Sequence, residues 1–420
     1  MSSFIILLLF FLSFIRSSLV SVVELNRHGA RTPKNFPELT ESLFFGSRDM
    51  TLTINGYRQE QLLGHFVKSK YINTQKFLSP EFDPEEFHII ASPTQRTIFS
   101  AAGFLSGLFP DYTVNMNYQE KTDMTSDSLP PLQDFEKMKE IPVEVPDRQK
   151  DFLFHALNCK YEKKELKSYL EGMKVDLFQF SHEEISNTFS ELMRLLGVKI
   201  HMQDLSKNFR ALVKYYFPFI YHFKTKLNSL SADSWKTIKK YILNDWYNYR
   251  LEESKYLKLT SSAFFYELKQ FFEKSRKSDQ AHPKYEVLSG HDTLIVNIIA
   301  NLLDKEYIKS TILKAVDDDK QFDLVVPPYA CNIFFELHQE ESDLKVKVIY
   351  DGRNITKRLN GNLEQSDTIS YEKLIKLLSS LIEDDYKNLD CSELGRSVKE
   401  VNRLQNAEIA EQTKTKYFLK

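Results

Sequence analysis

The chain has 420 residues, enough for one large domain or two closely packed ones, and 42% of them are hydrophobic, with 32 Phe and 21 Tyr. That supply of core material excludes disorder over most of the length. A formal net charge of −2 and a pI near 6.6 exclude the global basic footprint of a nucleic-acid-binding protein, so any anion binding must come from local charge.

Residues 1–18 carry an apolar run from Phe4 to about Ile15, followed by small residues. The run has the length of a signal-peptide core and is short for a bilayer span; a signal anchor is the alternative, because the first residues bear no positive side chain and Arg16 falls near the cleavage zone. No later run is long and apolar enough to span a membrane, so a secreted or lysosomal/vacuolar luminal protein is expected.

LVSVVEL (Leu19–Leu25) reads as a buried strand that runs directly into RHGARTP (Arg27–Pro33). LTINGYRQEQLLGHFVKSKYI follows, with Leu62, Leu63, Phe66 and Val67 at helical spacing. FHIIAS (Phe87–Ser92) is a second strand, and SPTQRT leads from it into a helix, IFSAAGFLSGLF. From 121 to 275 the patterning is helical with little β character, as in EEISNTFSELMRLLG and DSWKTIKKYILNDWYNYRLEE. KYEVLSG (Lys284–Gly290) is a third strand, opening into HDTLIVNIIANLLDK, whose Leu294, Ile295, Ile298, Ile299, Leu302 and Leu303 mark one helix face. NIFFELHQ and LKVKVIYDG form a hairpin across QEESD.

Strand, polar turn and helix thus recur, which predicts an α/β fold: an open, mostly parallel sheet covered by helices, with an inserted helical cap domain. The expected division is 1–18 signal peptide, 19–120 first part of the core, 121–275 cap, 276–390 second part of the core and 391–420 tail.

Ligands bind beyond the carboxyl ends of strands in open α/β sheets. The three strand ends here carry Arg27, His28 and Arg31, then Arg96, then His291 and Asp292. Three guanidinium forks converging on one point select a dianion such as phosphate, and helix N-termini after Arg96 and around His291 add donor N–H groups. Neutral imidazole is a good nucleophile toward phosphorus, and surrounding cations keep it unprotonated. His28 would therefore form a phosphohistidine later split by water, with Asp292 protonating the leaving oxygen. This chemistry calls for no metal and no cofactor.

Taken singly, each motif has a plain structural reading: an exposed basic loop for Arg-His-Gly, a helix N-cap for Asp292, a solvated side chain for Arg96. Their co-occurrence at three strand-to-helix junctions outweighs that, and a chance match to R-H-G-x-R-x-P in a chain this long has odds of about one in ten thousand.

Three cysteines, Cys159, Cys331 and Cys391, permit at most one internal disulfide. There is no CxxC, HExxH or HxH spacing, which argues against zinc. Asn354-Ile355-Thr356 is a glycosylation sequon.

RHGARTP resembles the RHGxRxP signature of the histidine acid phosphatases, SGHDTL their HD motif, and LTINGYRQEQLLG, ASPTQRT and PPYA further segments of theirs. The similarity runs from about residue 19 to about 391. It implies an α/β domain with a helical cap, His28 as phosphorylated nucleophile, Asp292 as general acid, and Arg27, Arg31, Arg96 and His291 as phosphate ligands. It also implies a Cys159–Cys391 disulfide, with Cys331 unpaired.

The expected activity is a metal-independent acid phosphatase acting on small phosphate monoesters or phosphorylated peptides, working best in acid because Asp292 must carry a proton to act. A phytase-like inositol phosphate phosphatase is the alternative, with Lys34 as a residue that could assist such a ring; a non-catalytic luminal phosphate-binding protein is the third reading. Ala30 stands where phosphoglycerate mutases usually have Glu, which argues against a mutase. Dimerisation is left open.

Overall fold

The structure is a computed structural model that describes residues 18–32, 50–116, 139–148, 151–154, 177–196, 209, 212–213, 230–248, 250–251, 255–277, 282–362 and 366–383. The expected signal peptide (but for Ser18), Pro33, Lys34, Cys159, Cys391 and the 391–420 tail lie outside these residues.

Strand β1 (Ser18–Arg27) is followed by helix α1 (Ile54–Val67), which widens into a π-helical turn at Lys68–Thr74. Next come β2 (Phe87–Ala91), α2 (Gln95–Leu108), β3 (Tyr112–Met116) and β4 (Lys139–Val143). Helices α3 (His182–Leu196), α4 (Ala232–Tyr247) and α5 (Lys255–Ser275) precede β5 (Tyr285–Gly290) and α6 (Asp292–Leu302). After α7 (Lys305–Ala315) and α8 (Asp319–Val325), the chain closes with β6 (Asn332–Glu340), β7 (Asp343–Tyr350), β8 (Arg353–Asn354), β9 (Ile369–Ser370) and α9 (Tyr371–Leu381).

The seven-stranded sheet runs β2-β5-β1-β6-β7-β8, with β9 on β7. It is parallel through β2, β5 and β1, then antiparallel from β6 onward, where the expected hairpin β6–β7 lies. Register aligns the carboxyl ends: Arg27 of β1 faces Gly290 of β5, and Ala91 of β2 faces Ser289. The three polar turns therefore leave the sheet side by side.

Alternation along β1 explains why it is buried on both faces. Val23 and Leu25 join Leu288, Ile295 and the aromatic rings of α5 in one core layer; Val22 joins Val287, Ile89 and Phe104 in the other. Helix α5 packs directly on the sheet, with Phe264 and Phe335 rings 5.8 Å apart. The short parallel pair β3–β4 places a strand inside the stretch expected to be helical. KEIPV is five residues long and includes Pro142, so it offers no period-2 signal to read.

Helix α1 differs from its expected orientation. Leu62 and Phe66 are 68% and 48% exposed, and the buried face is Gly56, Glu60, Gly64 and Val67. The reason is backbone contact with α2: a Cβ on Gly64 would lie 1.9 Å from Phe104 O, and one on Gly107 2.0 Å from Gln61 O. Hydrophobic periodicity cannot register an interface built from glycines.

Behind the sheet end, β1 turns Glu24 into the layer beneath α1 and α2. It is fully buried and accepts hydrogen bonds from Tyr285 Oη (2.5 Å) and Asn332 Nδ2 (3.0 Å). Burial raises its carboxyl to about 7, against those hydrogen bonds. Glu60, also fully buried, is raised too, first by burial and then by the charge of Glu24.

Because the folded protein holds the Glu24 proton more tightly than the unfolded chain does, its contribution is fully present below pH 4.5 and is lost as pH rises through about 7. The shift is worth about 3 kcal/mol. Glu24→Gln cannot titrate, so the stability difference between wild type and variant, measured by denaturant unfolding, is expected to change by about that amount across the window. A difference independent of pH would disprove the buried acid.

Candidate active site

The RHG loop is held by groups from three elements, which leaves little freedom in where its side chains point. Arg27 N–H donates to Cys331 O (2.9 Å), and His28 N–H to Gly290 O (3.0 Å). Gly29 N–H donates to Ser100 Oγ of α2 (3.0 Å), and Ala30 N–H to Gln59 Oε1 of α1 (2.9 Å). Ala30 O accepts from both the backbone N–H and the hydroxyl of Thr53, the N-cap of α1. A Cβ on Gly29 would stand 2.2 Å from Gly56 O, so only glycine lets the loop sit this close to the helix.

Arg27 ends β1 and His28 and Arg31 follow it in the loop; His291 follows β5 as the N-cap of α6, which Asp292 opens; and Arg96 is the second residue of α2. Arg27 Nη2 lies 2.7 Å from Asp292 Oδ2, its Nη1 donates to Pro327 O, and its guanidinium stacks 3.9 Å from the Tyr329 ring centre. Asp292 Oδ1 accepts from Thr293 N–H (2.8 Å). Arg96 Nη2 is 3.5 Å from His291 Nδ1, and the His28 and His291 rings are 5.6 Å apart, edge to face. Arg31 is paired through its backbone with Leu52 and donates from Nη1 to Thr32 O (2.9 Å).

His28 is almost fully buried, with Nδ1 2.8 Å from Gly29 O. A carbonyl oxygen only accepts, so Nδ1 carries the proton and Nε2 keeps the lone pair. Burial holds the ring well below its ordinary protonation range, reinforced by Arg96, Arg27, His291 and Arg31 in that order. Burial and the neighbouring Arg31 bring Arg96 down to about 10. Among the described residues, Arg27 Nε and Arg96 Nε have no acceptor, so buried N–H donors stand available to an anion. The arrangement is a neutral imidazole inside a cationic ring.

Several further residues in and around the site are not among the six expected from the sequence. Tyr329 faces both Arg27 and His28, with its ring centre 5.7 Å from that of His28. Gln59 and Ser100 support the loop backbone. Ser92 and Asp151 stand behind His291. Tyr329 lies in PPYA, Gln59 in LTINGYRQEQLLG and Ser92 in ASPTQRT, segments that carry the family resemblance; Ser100 and Asp151 lie in none of them.

Cys331 is a buried free thiol, as the resemblance implied, and burial pushes its titration well up. Asn354 sits away from the site on β8, where its Nδ2 donates to Asp367 O (3.0 Å). Among the described residues no helix is long and apolar enough to cross a membrane.

Residues 35–351 match the profile of the histidine phosphatase superfamily (branch 2), a stretch that begins just after RHGARTP. Human testicular acid phosphatase is 38% identical over 99 residues, covering 22% of this chain and 22% of that protein. Glucose-1-phosphatase of Providencia rettgeri is 31% identical over 107 residues, covering 23% of this chain and 25% of its own length. The alignments thus span about a quarter of these relatives or less. Among solved structures, Hafnia alvei phytase in complex with tartrate superposes with a TM-score of 0.58 at 15% identity, over 88% of this chain and 98% of that one. Multiple inositol polyphosphate phosphatase of Bifidobacterium longum gives 0.53 at 9% identity, over 89% and 94%. These likenesses carry the fold, and the match over most of the chain carries the family: the protein belongs to the histidine phosphatase superfamily, branch 2.

Proposed function

We propose that the protein is a metal-independent acid phosphatase that hydrolyses phosphate monoesters through a phosphohistidine on His28. The observation that supports this best is the buried His28 ring, proton on Nδ1 and lone pair on Nε2, set among Arg27, Arg31 and Arg96.

Substrate phosphate takes the guanidinium donors, and His28 Nε2 attacks phosphorus in line with the ester oxygen. The N–P bond forms as the P–O bond breaks, and the electron pair stays on the leaving oxygen. Asp292 delivers a proton to that oxygen and the alcohol departs. Water then attacks the phosphohistidine and passes a proton to Asp292; the N–P electrons return to the imidazole and inorganic phosphate leaves. The arginines neutralise the charge on the equatorial oxygens throughout. Acid favours the cycle because the first step consumes a carboxyl proton.

The domain division, the signal peptide, the Cys159–Cys391 pair, the Asn354 glycan and a secreted or lysosomal location belong to the same proposal. A phytase-like activity is the second reading, favoured by the phytases and the multiple inositol polyphosphate phosphatase among the fold neighbours. Relative rates on phytate and on simple monoesters separate the two.

The test is a rapid quench into alkaline denaturant with a phosphorus-labelled monoester, since phosphohistidine survives base. Label is expected on the peptide containing His28, with chelator present and absent alike. Turnover without label on that peptide would refute the mechanism; no turnover between pH 4 and 7 would refute the activity.

A further inference from the structure

We propose that Ser92 and Asp151 are positioning residues for His291, fixing a proton on its Nε2 so that Nδ1 is the nitrogen offered to the phosphoryl group. The proposal rests on the phosphatase reading but concerns residues that reading leaves unused.

Ser92 follows β2 directly and is fully buried, its backbone N–H donating to Ser289 O (2.9 Å). Its Oγ lies 3.0 Å from His291 Nε2 and 3.4 Å from Asp151 Oδ2. Asp151 is buried as well, and its other oxygen, Oδ1, accepts from Phe154 N–H (3.0 Å). A line of three buried polar groups thus runs from a carboxylate, through a hydroxyl, to the imidazole beside the nucleophile.

Proton counting gives this line a direction. An ionised carboxylate only accepts, whereas a hydroxyl has one proton to donate and lone pairs to accept with. The Ser92 proton therefore goes to Asp151, and the Ser92 oxygen takes the Nε2–H of His291. With the opposite tautomer, Ser92 would donate to Nε2 and set its own lone pair against the Asp151 carboxylate. Nδ1, on the far side of the ring, lies 3.5 Å from Arg96 Nη2 and faces the space where the guanidinium groups converge.

The consequence is a phosphate ligand whose pocket-side nitrogen adapts to the ligand. Facing Arg96 it presents a lone pair; facing a monoprotonated phosphate it takes the ligand's P–OH proton, leaving the phosphate a dianion, and donates that N–H back to the oxygen. The resulting imidazolium stands close to Arg96 and His28, with Asp292 adjacent in sequence, so its added positive charge needs an offset. Asp151 supplies that charge through Ser92 without entering the pocket. Ligand-orienting partners of this kind typically matter by about 10-fold to 100-fold in binding.

Ser92→Ala and Asp151→Asn are expected to weaken inhibition by inorganic phosphate about tenfold and to raise KM for an aryl phosphate similarly, with kcat falling less than KM rises. Ser92→Thr keeps the hydroxyl and should restore both. The tautomer itself is read by nitrogen-15 NMR of histidine-labelled protein: wild type is expected to show His291 protonated at Nε2, and Ser92→Ala a mixture.

An active wild type whose Ser92→Ala variant keeps wild-type phosphate inhibition and KM would overturn the relay while leaving the phosphatase intact. An inactive wild type would overturn the phosphatase, and the NMR signature would then still decide the relay. Asp151→Asn preserves the bond to Phe154 N–H through an amide oxygen, so it serves as the second variant should Ser92→Ala fail to fold.

Discussion

His28→Ala is expected to lower turnover of a phosphate monoester by about 10⁴-fold to 10⁶-fold, the scale on which enzymes lose rate with their nucleophile. The size follows from how little else in the pocket could attack. Arg27, Arg31 and Arg96 stay charged and donate only, and Tyr329 has its ring committed to the Arg27 guanidinium. Phosphate binding should survive, because the guanidinium groups and His291 are untouched, so phosphate affinity of the variant by calorimetry should stay within about tenfold of wild type. Loss of binding and turnover together would mean that His28 holds the loop rather than attacks. Residual activity within tenfold of wild type would remove it from the mechanism altogether.

This prediction could be written from the sequence because RHGARTP follows a Val-rich strand directly, and a parallel sheet sends such strand ends to one edge. The register Arg27–Gly290 and Ala91–Ser289 turns that general rule into a particular site. What the sequence could not convey falls into three kinds. Ser100 and Asp151 are common residue types whose meaning arises only from contacts 71 and 59 positions away, and Gln59 and Ser92, though they fall in segments that resemble the family, have partners 29 and 199 positions away that those segments do not name. Glu24 sits in a strand pattern that reads equally well with an outward carboxylate, and its raised protonation comes from full burial, against the hydrogen bonds from Tyr285 and Asn332. Helix α1 was legible as a helix but not in its facing, since its contact with α2 is made by backbone at Gly64 and Gly107.

Asp292→Asn should divide substrates by their leaving group. With an alkyl phosphate, whose departing alkoxide is strongly basic, loss of the proton donor is expected to lower kcat by about 10²-fold to 10⁴-fold. With a nitrophenyl phosphate the leaving oxygen is stable as an anion, so the first step needs no acid and the loss should be under about tenfold. Asn keeps one acceptor, enough for Thr293 N–H at the start of α6, but sets its amide N–H against Arg27 Nη2 and so also removes that ion pair. The comparison of leaving groups is therefore needed, because Asp292 has a second role open to it as the anchor of Arg27, 2.7 Å away. An anchor acts on phosphate binding, which both esters share, so its removal would slow the two equally. A proton donor acts on the departing oxygen alone. Equal losses on both esters would therefore reassign Asp292 from acid to anchor, and the proton would have to reach the leaving group from solvent.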